Sequence, residues 1–246
     1  MMSCYSAFRM VKMRGLLGTT AACCAVFGAS AQATQTFIPT AGIFAHSASG
    51  ISEPSAAASP EELFNQGKNL YTDRKYADAV KWWLLAAENG HAKAQFYIGF
   101  CYENGIGVPK NAEEAVKWYR LAAEQGIAQA QTILGLCYAQ GKGVPKNAEE
   151  AVKWYRLAAE QGYAGAQYNL GGCYYNGTGV QKNAEDAVKW YRLAAEQGLA
   201  VAQYNLGVCY YNGKGVKRNR QKAKDWFRKA AAQGDEAAKK ALRERF

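Results

Sequence analysis

Apolar and polar positions follow each other along this chain with the period of a helix, and the whole pattern returns every 36 residues. The segment NAEEAVKWYRLAAEQG occupies residues 111–126 and again 147–162, and it recurs at 183–198 with Asp186 in place of glutamate. A repeat period of about 20–50 residues is typical of solenoids, in which stacked copies of a small unit share one elongated core. The sequence therefore predicts a repeat protein.

Each copy predicts two short helices joined by a glycine-rich turn. The copy at 92–127 has one apolar stripe on each helix at helical spacing. The stripe of the first helix is Ala94, Ile98, Cys101 and Tyr102, and that of the second is Ala115, Val116, Tyr119, Ala122 and Ala123, with Trp118 beside it. A glycine inside a helix, such as Gly99, lowers helix stability by about 1 kcal/mol relative to alanine. Because glycine nevertheless recurs at the equivalent positions Gly135, Gly171 and Gly207, we predict close helix contact there.

Turn and cap residues mark the ends of these helices. Gly105-Ile-Gly107 ends the first helix, because glycine allows the positive φ that a sharp turn needs. Asn111 is a predicted N-cap, and Glu114 is expected to complete a capping box with it. Gly126 ends the second helix as a C-terminal glycine.

Four copies share the motif A-x-A-Q-x-x-[IL]-G-x-C-Y-x-x-G-x-G-V-x-[KR]-N-x-x-x-A-x-x-W-[YF]-R-x-A-A-x-Q-G, and this motif resembles the Sel-1-like repeats, which are relatives of the tetratricopeptide repeats. The resemblance implies an all-α fold, a right-handed α-solenoid of antiparallel helix pairs, and an adaptor function in protein complexes. Its predicted units are a tetratricopeptide-like first hairpin at 60–91, repeats at 92–127, 128–163, 164–199 and 200–235, and a capping helix at 236–246.

A second stripe on the first helices varies between copies while the core stripe stays fixed. By resemblance to tetratricopeptide arrays this stripe lines a concave groove, and we predict that it binds a protein or peptide partner. An alternative is that its tyrosines only pack between neighbouring repeats. The predicted groove residues are Phe96, Phe100, Tyr168, Tyr175, Asn176, Tyr204, Tyr211 and Asn212.

Positive charge is concentrated at the C-terminal end. The chain has a formal net charge of +10, yet residues 214–246 alone hold twelve Lys or Arg against four Asp or Glu. Cations crowd the start of one predicted helix, where the helix dipole disfavours them. They form either a soluble cap or a docking patch for an acidic partner or another anionic surface, and no nucleic acid is expected as a partner. The predicted patch is Lys217, Arg218, Arg220 and Lys222.

The N-terminal residues predict export. Arg9, Lys12 and Arg14 precede an apolar run at 15–28, and small-x-small sites follow near Ala33, as in a signal peptide spanning 1–33. The alternatives are an uncleaved anchor or a disordered tail, and Cys23 raises the question of a lipoprotein. Residues 34–59 are rich in Ala, Ser and Thr and predict a disordered tether. We therefore expect a periplasmic or secreted protein without a transmembrane segment.

The residues after the tether offer little indication of catalysis or of metal binding. They contain no serine and one histidine, His91, so no catalytic triad or histidine pair is expected, and we predict neither a metal nor a cofactor. The Glu113-Glu114 pair stands in the first turn of a helix, where the dipole favours acids. Cell-wall or β-lactam hydrolysis, attributed to cysteine-rich relatives, remains the alternative function.

Four cysteines remain after the signal peptide. Some secreted members of the family carry two cysteines per repeat that bridge a hairpin, but here each repeat has one. Equivalent positions of stacked helices lie about 10 Å apart, whereas a disulfide needs Cα atoms within about 7 Å. We therefore expect reduced thiols at Cys101, Cys137, Cys173 and Cys209.

Overall fold

A computed structural model of the chain describes residues 58–246. The described residues form eleven α-helices and no strand. The predicted signal peptide, and all of the predicted tether except Ala58 and Ser59, lie outside the described residues. The helices are α1 (Pro60–Thr72), α2 (Tyr76–Glu88), α3 (Ala92–Asn104), α4 (Ala112–Glu124), α5 (Ala128–Gln140), α6 (Ala148–Glu160), α7 (Ala164–Asn176), α8 (Ala184–Glu196), α9 (Ala200–Asn212), α10 (Arg220–Ala232) and α11 (Glu236–Arg245).

Neighbouring helices stack in chain order. Helices α1 to α10 form five hairpins, and the second helix of each hairpin packs against the first helix of the next, while α11 packs against α10. The described residues are therefore the all-α solenoid of antiparallel helix pairs that the repeat pattern predicted. The core consists of five apolar clusters distributed along the array.

The predicted apolar stripes supply this core. Ala94, Ile98 and Cys101 on α3 are fully buried, and the predicted stripe of α4 is buried along its whole length. The prediction was too broad for Tyr102, which is half-buried, and at the equivalent end of α7 both Cys173 and Tyr174 are half-buried. The Tyr174 hydroxyl stays near the surface because it accepts a hydrogen bond of 3.0 Å from Arg156 of the preceding hairpin. Arg120 and Arg192 make the same bond to Tyr138 and Tyr210.

The glycines inside the first helices lie against an aromatic ring of the second helix. A Cβ atom on Gly171 would lie 2.7 Å from Cδ1 of Tyr191 and 3.2 Å from the carbonyl oxygen of Ala187. Gly99, Gly135 and Gly207 have equivalent contacts. The predicted close helix contact is confirmed, and the ring takes the space that a side chain at this position would need.

The turn glycines have two separate roles. Gly105 ends α3 in the left-handed conformation, with φ of 71°, and its N–H group donates to the carbonyl of Cys101. Gly107 also has φ of 71°, and a Cβ atom there would lie 2.5 Å from the carbonyl oxygen of Tyr76 at the start of α2. The second glycine of each turn thus allows one hairpin to contact the backbone of the hairpin before it.

The predicted capping box is half correct. The Asn111 side chain accepts hydrogen bonds from the N–H groups of Glu113 and Glu114, as an N-cap does. The backbone N–H group of Asn111 donates to the carbonyl of Tyr102, so Glu114 does not close the box and instead pairs with Lys117. A complete capping box stands at the start of α1, between Ser59 and Glu62.

A row of glutamines passes through the core and links the repeats, and the sequence analysis did not predict it. Gln167 is 4% exposed, and its Nε2 donates to the carbonyl of Ala159. Its Oε1 accepts a hydrogen bond of 2.8 Å from Gln197, 30 residues later. Gln95, Gln131 and Gln203 make the same two contacts. Buried amides satisfied in this way fix the register of one hairpin on the next.

Candidate partner-binding surface

The variable residues of the first helices form a continuous set of positions, here called the first-helix stripe. Fourteen of its sixteen residues are half-buried or exposed, whereas Glu103 and Thr132 are buried. The stripe consists of Phe96, Phe100, Glu103 and Asn104 on α3, Thr132, Leu136, Ala139 and Gln140 on α5, Tyr168, Gly172, Tyr175 and Asn176 on α7, and Tyr204, Val208, Tyr211 and Asn212 on α9.

The tyrosines of α7 pack on the second helix of their own hairpin. The Tyr168 and Tyr175 ring centroids lie 5.9 and 6.4 Å from that of Tyr191 on α8. Both tyrosines nevertheless remain half-buried, and Asn176 at the end of the helix is exposed. Each ring therefore supports its hairpin and also contributes to the surface.

The stripe of α9 is arranged in the same way at Tyr204 and differently at Tyr211, which packs on the last residue of the chain. The Tyr204 ring packs on Phe227 of α10 at 5.6 Å, and the Tyr211 ring meets Phe246 edge-on at 5.9 Å. Both tyrosines are half-buried, and Asn212 is exposed. The predicted groove residues of α7 and α9 thus lie at equivalent places, while their role in binding stays a prediction.

The stripe is different on α3. The Phe96 ring lies 5.9 Å from Tyr119, and Phe100 is half-buried. Glu103 is buried because its carboxylate accepts from the Tyr119 hydroxyl at 2.7 Å and forms an ion pair of 2.8 Å with Lys142. The stripe position that carries Tyr175 in α7 is therefore taken up by an internal ion pair in α3.

The predicted basic patch is divided between two places. The guanidinium carbons of Arg218 and Arg220 lie 5.9 and 5.3 Å from the ring centroid of Tyr211, so these two residues join the first-helix stripe. Lys222 instead lies 5.6 Å from the ring of Tyr210. Lys217 is exposed.

Two more cations belong to the stripe, and the sequence analysis missed them. The guanidinium carbon of Arg245 on α11 is 4.9 Å from the Tyr211 ring, and the ammonium of Lys214 is 3.9 Å from the Tyr175 ring. The hydrogen bond from Arg220, together with the charges of Arg220, Arg245 and Arg218, lowers the pKa of the Tyr211 hydroxyl below its usual value. Lys214 follows Tyr175 by 39 residues, the same separation as Lys142 and Glu103, and this repeat-based spacing was the signal available.

The serine and the histidine of the described residues each contact a different glutamate of α1. The Ser59 hydroxyl donates to Glu62 at 2.8 Å. His91 caps α3 by accepting from the N–H group of Ala94, and its Nε2 lies 2.9 Å from Glu61. Because both imidazole nitrogens have partners, His91 is not arranged as a base for a hydroxyl nucleophile.

Other chemistry is sparse in the described residues. Within 58–246 no three His, Cys, Asp or Glu side chains gather as a metal site would require. Over the same residues, no helix has both the length and the apolar character to cross a membrane. Cys101, Cys137, Cys173 and Cys209 are free thiols, and burial raises the pKa of the first two to about 12 and of the last two to about 11.

The repeats of this chain match the profile of a known repeat family. The sequence profile of the Sel1 repeat matches residues 58–91, 92–127, 128–163, 164–199 and 200–235. The chain belongs to the Sel1 repeat family. The profile also covers the first hairpin, which the sequence analysis had set apart as more tetratricopeptide-like.

Solved Sel1 repeat structures resemble the array. The protein c5321, a protective antigen present in uropathogenic Escherichia coli strains displaying an SLR fold, is 38% identical with a TM-score of 0.72, over 75% of this chain and 40% of that chain. A Sel1 repeat protein from Oxalobacter formigenes is 40% identical with a TM-score of 0.69, over 75% of each chain.

Curated relatives match only a short segment. DAP3-binding cell death enhancer 1 is 44% identical in Rattus norvegicus and 42% identical in Mus musculus, each over 48 residues. The match covers 18% of this chain and 9% of those proteins.

Proposed function

We propose that this Sel1 repeat array is a non-enzymatic adaptor that binds a segment of a partner protein along the first-helix stripe. The observation that carries the proposal is the contrast between two neighbouring stripes of the same helices. In the four repeats from 92 to 235 the core stripe keeps its residue types and is largely buried, whereas the first-helix stripe changes from repeat to repeat and stays largely accessible. Packing accounts for the core stripe and for the buried Glu103 of the first-helix stripe, and we attribute the variation of the accessible stripe residues to partner binding.

The residue types of the stripe suit a protein segment. The half-buried rings of Tyr168, Tyr175 and Tyr204 offer large contact areas that are already held in place by their own hairpins, so little conformational freedom is lost on binding. The exposed amides of Asn176 and Asn212 can pair with the backbone of an extended peptide. Sel1 and tetratricopeptide-like repeats are typical scaffolds of protein–protein interaction.

A steric block tests the location of the binding surface. Gly172 lies on the stripe, and a Cβ atom there would meet only the Tyr191 hydroxyl at 3.7 Å, so Gly172→Gln adds a side chain to the surface without disturbing the hairpin. Leu157→Gln is the matched control, because Leu157 is 46% exposed on the second helix α6. We expect Gly172→Gln to reduce capture of the native partner and Leu157→Gln to retain it, with neither variant melting below the original chain. Equal capture by the two variants would refute the assignment.

We also propose that the array acts outside the cytoplasm, in the periplasm or beyond it. The support is the basic and then apolar composition of residues 1–33 and the small residues that follow. N-terminal sequencing of the protein recovered from envelope and culture fractions tests this. A start near Thr34 is expected, whereas an intact residue 1–33 segment on a cytoplasmic protein would overturn it, and a lipid on Cys23 would establish the lipoprotein alternative.

A further inference from the structure

Three arginines from different elements gather around one tyrosine of the first-helix stripe. Arg218 lies in the turn after α9, Arg220 begins α10, and Arg245 ends α11. Their guanidinium carbons lie 5.9, 5.3 and 4.9 Å from the ring centroid of Tyr211. Three like charges at these distances repel one another, and the aromatic face offsets only part of that repulsion.

The nearby acids do not neutralise the arginines. Residues 214–246 contain four acids, and each has a different partner in the structure. Asp225 pairs with Arg228, Glu236 with Lys239 and Glu244 with Lys240, and Asp235 caps α11 by accepting from the N–H group of Ala238. Within the described residues no ion pair joins Arg218, Arg220 or Arg245 to a carboxylate.

The arginines keep most of their hydrogen-bond donors. The Nε of Arg218 donates to the carbonyl of Tyr211 at 3.1 Å, and one terminal nitrogen of Arg220 donates to the Tyr211 hydroxyl at 3.2 Å. A guanidinium group has five N–H donors. The Arg218 contact leaves both terminal nitrogens available, and the Arg220 contact occupies one of its terminal nitrogens and leaves the other available. A pair of such N–H groups can bind a carboxylate with two parallel hydrogen bonds.

The cluster continues into the neighbouring parts of the stripe. Lys214 stacks on Tyr175, and the Lys224 ammonium lies 5.4 Å from the Phe246 ring. A depression of about 240 Å³ separates Tyr204 from α11, and its wall includes Arg245 and Lys240 together with Glu244. Cations therefore border the aromatic rings over two consecutive repeats, and a peptide lying on these rings passes the arginines.

We propose that Arg218, Arg220 and Arg245 form a carboxylate-binding site that selects an acidic segment of the partner protein at the C-terminal end of the first-helix stripe. The proposal rests on the function proposed above and adds the chemistry of the partner. A protein segment fits better than nucleic acid, because a nucleic acid needs cations that contact many phosphates along its length. Here three arginines converge on a single ring, and Lys214 and Lys224 beside them are confined to the C-terminal end of the stripe.

The test uses two labelled ten-residue peptides, one of alternating Glu and Gly and one of alternating Gln and Gly. Their binding to the full chain is measured by fluorescence anisotropy at about 50 mM salt, where screening is weak. We expect the Glu peptide to bind at least about tenfold more tightly than the Gln peptide. The combined R218Q, R220Q and R245Q changes should reduce its affinity about tenfold or more, since one charge-assisted hydrogen bond has about that effect.

A charge-matched control separates the site from general attraction. The combined R228Q, K239Q and R243Q changes remove the same number of cations, whose described contacts are with Asp225 and Glu236. We expect this variant to bind the Glu peptide within about twofold of the original chain, with melting checked by circular dichroism for both variants. Equal losses in the two variants would overturn the proposal.

Other ligands and the native partner complete the test. Tighter binding of a twenty-residue oligothymidine or of phosphatidylglycerol vesicles than of the Glu peptide would also overturn the carboxylate assignment. The proposed function fails separately, when Gly172→Gln leaves capture of the native partner unchanged. If Gly172→Gln blocks capture and the triple arginine variant does not, the adaptor function stands and the carboxylate-binding site is refuted.

Discussion

Two adjacent glycines of α7 allow a sharp test of how the hairpins pack. Gly171 faces the second helix of its hairpin, and Gly172 belongs to the first-helix stripe. A Cβ atom on Gly171 would lie 2.7 Å from Cδ1 and 2.9 Å from Cε1 of Tyr191, whereas the nearest atom to one on Gly172 is the Tyr191 hydroxyl at 3.7 Å. We predict that alanine destabilises the protein at Gly171 and stabilises it at Gly172.

The magnitudes follow from these distances. Carbon atoms in contact normally lie about 3.5–4.0 Å apart, so Gly171→Ala must displace the ring by about 1 Å. Rotation of the ring does not relieve the contact of 3.2 Å with the Ala187 carbonyl, so the backbone there must also shift by a few tenths of an ångström. Overpacking of this kind costs about 1–3 kcal/mol or more, and the helix propensity of alanine offsets about 1 kcal/mol. Gly172→Ala keeps only the gain of about 0.5–1 kcal/mol.

Urea unfolding followed by circular dichroism measures the overall effect. Because repeat arrays can unfold in parts, hydrogen exchange of residues 164–196 should be read beside it as the local stability of the α7–α8 hairpin. The expected result is a lower midpoint and faster exchange for Gly171→Ala, and the opposite for Gly172→Ala. Stabilisation by both substitutions, or equal effects, would show that the ring does not occupy the space above Gly171.

Three further predictions concern an ion pair, the thiols and catalysis. Lys142→Ala removes a partner of the buried Glu103 carboxylate and should lower the free energy of unfolding by about 2 kcal/mol. Lys153→Ala, in an exposed ion pair, should change the free energy of unfolding by less than about 0.5 kcal/mol. Equal losses of the two variants in urea unfolding would contradict this prediction. Burial raises the pKa of Cys101 to about 12 and of Cys173 to about 11, so both thiols stay protonated at pH 8. Peptide-resolved alkylation should therefore be slow at both in the native protein and fast at all four repeat cysteines in denaturant without reductant, and a disulfide among the four would refute the assignment. Purified chain should not turn over nitrocefin, because Ser59 is bound to Glu62 and both nitrogens of His91 have partners, and steady turnover that co-purifies with the chain would contradict this.

Much of the fold is predictable from the sequence because the same residue pattern, with the same physical requirements, occurs in several repeats. The glycine at positions 99, 135, 171 and 207 is unfavourable in a lone helix, so its regular return indicates a contact, which the structure places at the aromatic residue of the second helix. The glutamine row was less accessible to sequence reasoning. Gln95 and Gln125 are 30 residues apart, and helical spacing does not relate residues that stand on two different helices.

The candidate site was predicted in two separate pieces. Helical spacing placed Tyr211 on the variable stripe, and charge counting placed Arg218 and Arg220 in a basic patch, but neither pattern predicts that these residues meet. Arg245 was missed because its position depends on how α11 packs against α10. Lys222 was included in the patch because it is close in sequence, although the turn into α10 directs it to Tyr210.

The central claim is that the first helices, and not the second helices, carry the binding surface. Photo-crosslinking tests it most directly, with benzoylphenylalanine placed singly at exposed positions of the full chain in the cells that produce it. Gln140, Asn176 and Asn212 sample the first helices, and Leu157 and Leu193 are exposed controls on the second helices. The account predicts that one partner species crosslinks from the first set and not from the controls. Crosslinks of that species from Leu157 and Leu193, with none from the first helices, would contradict it.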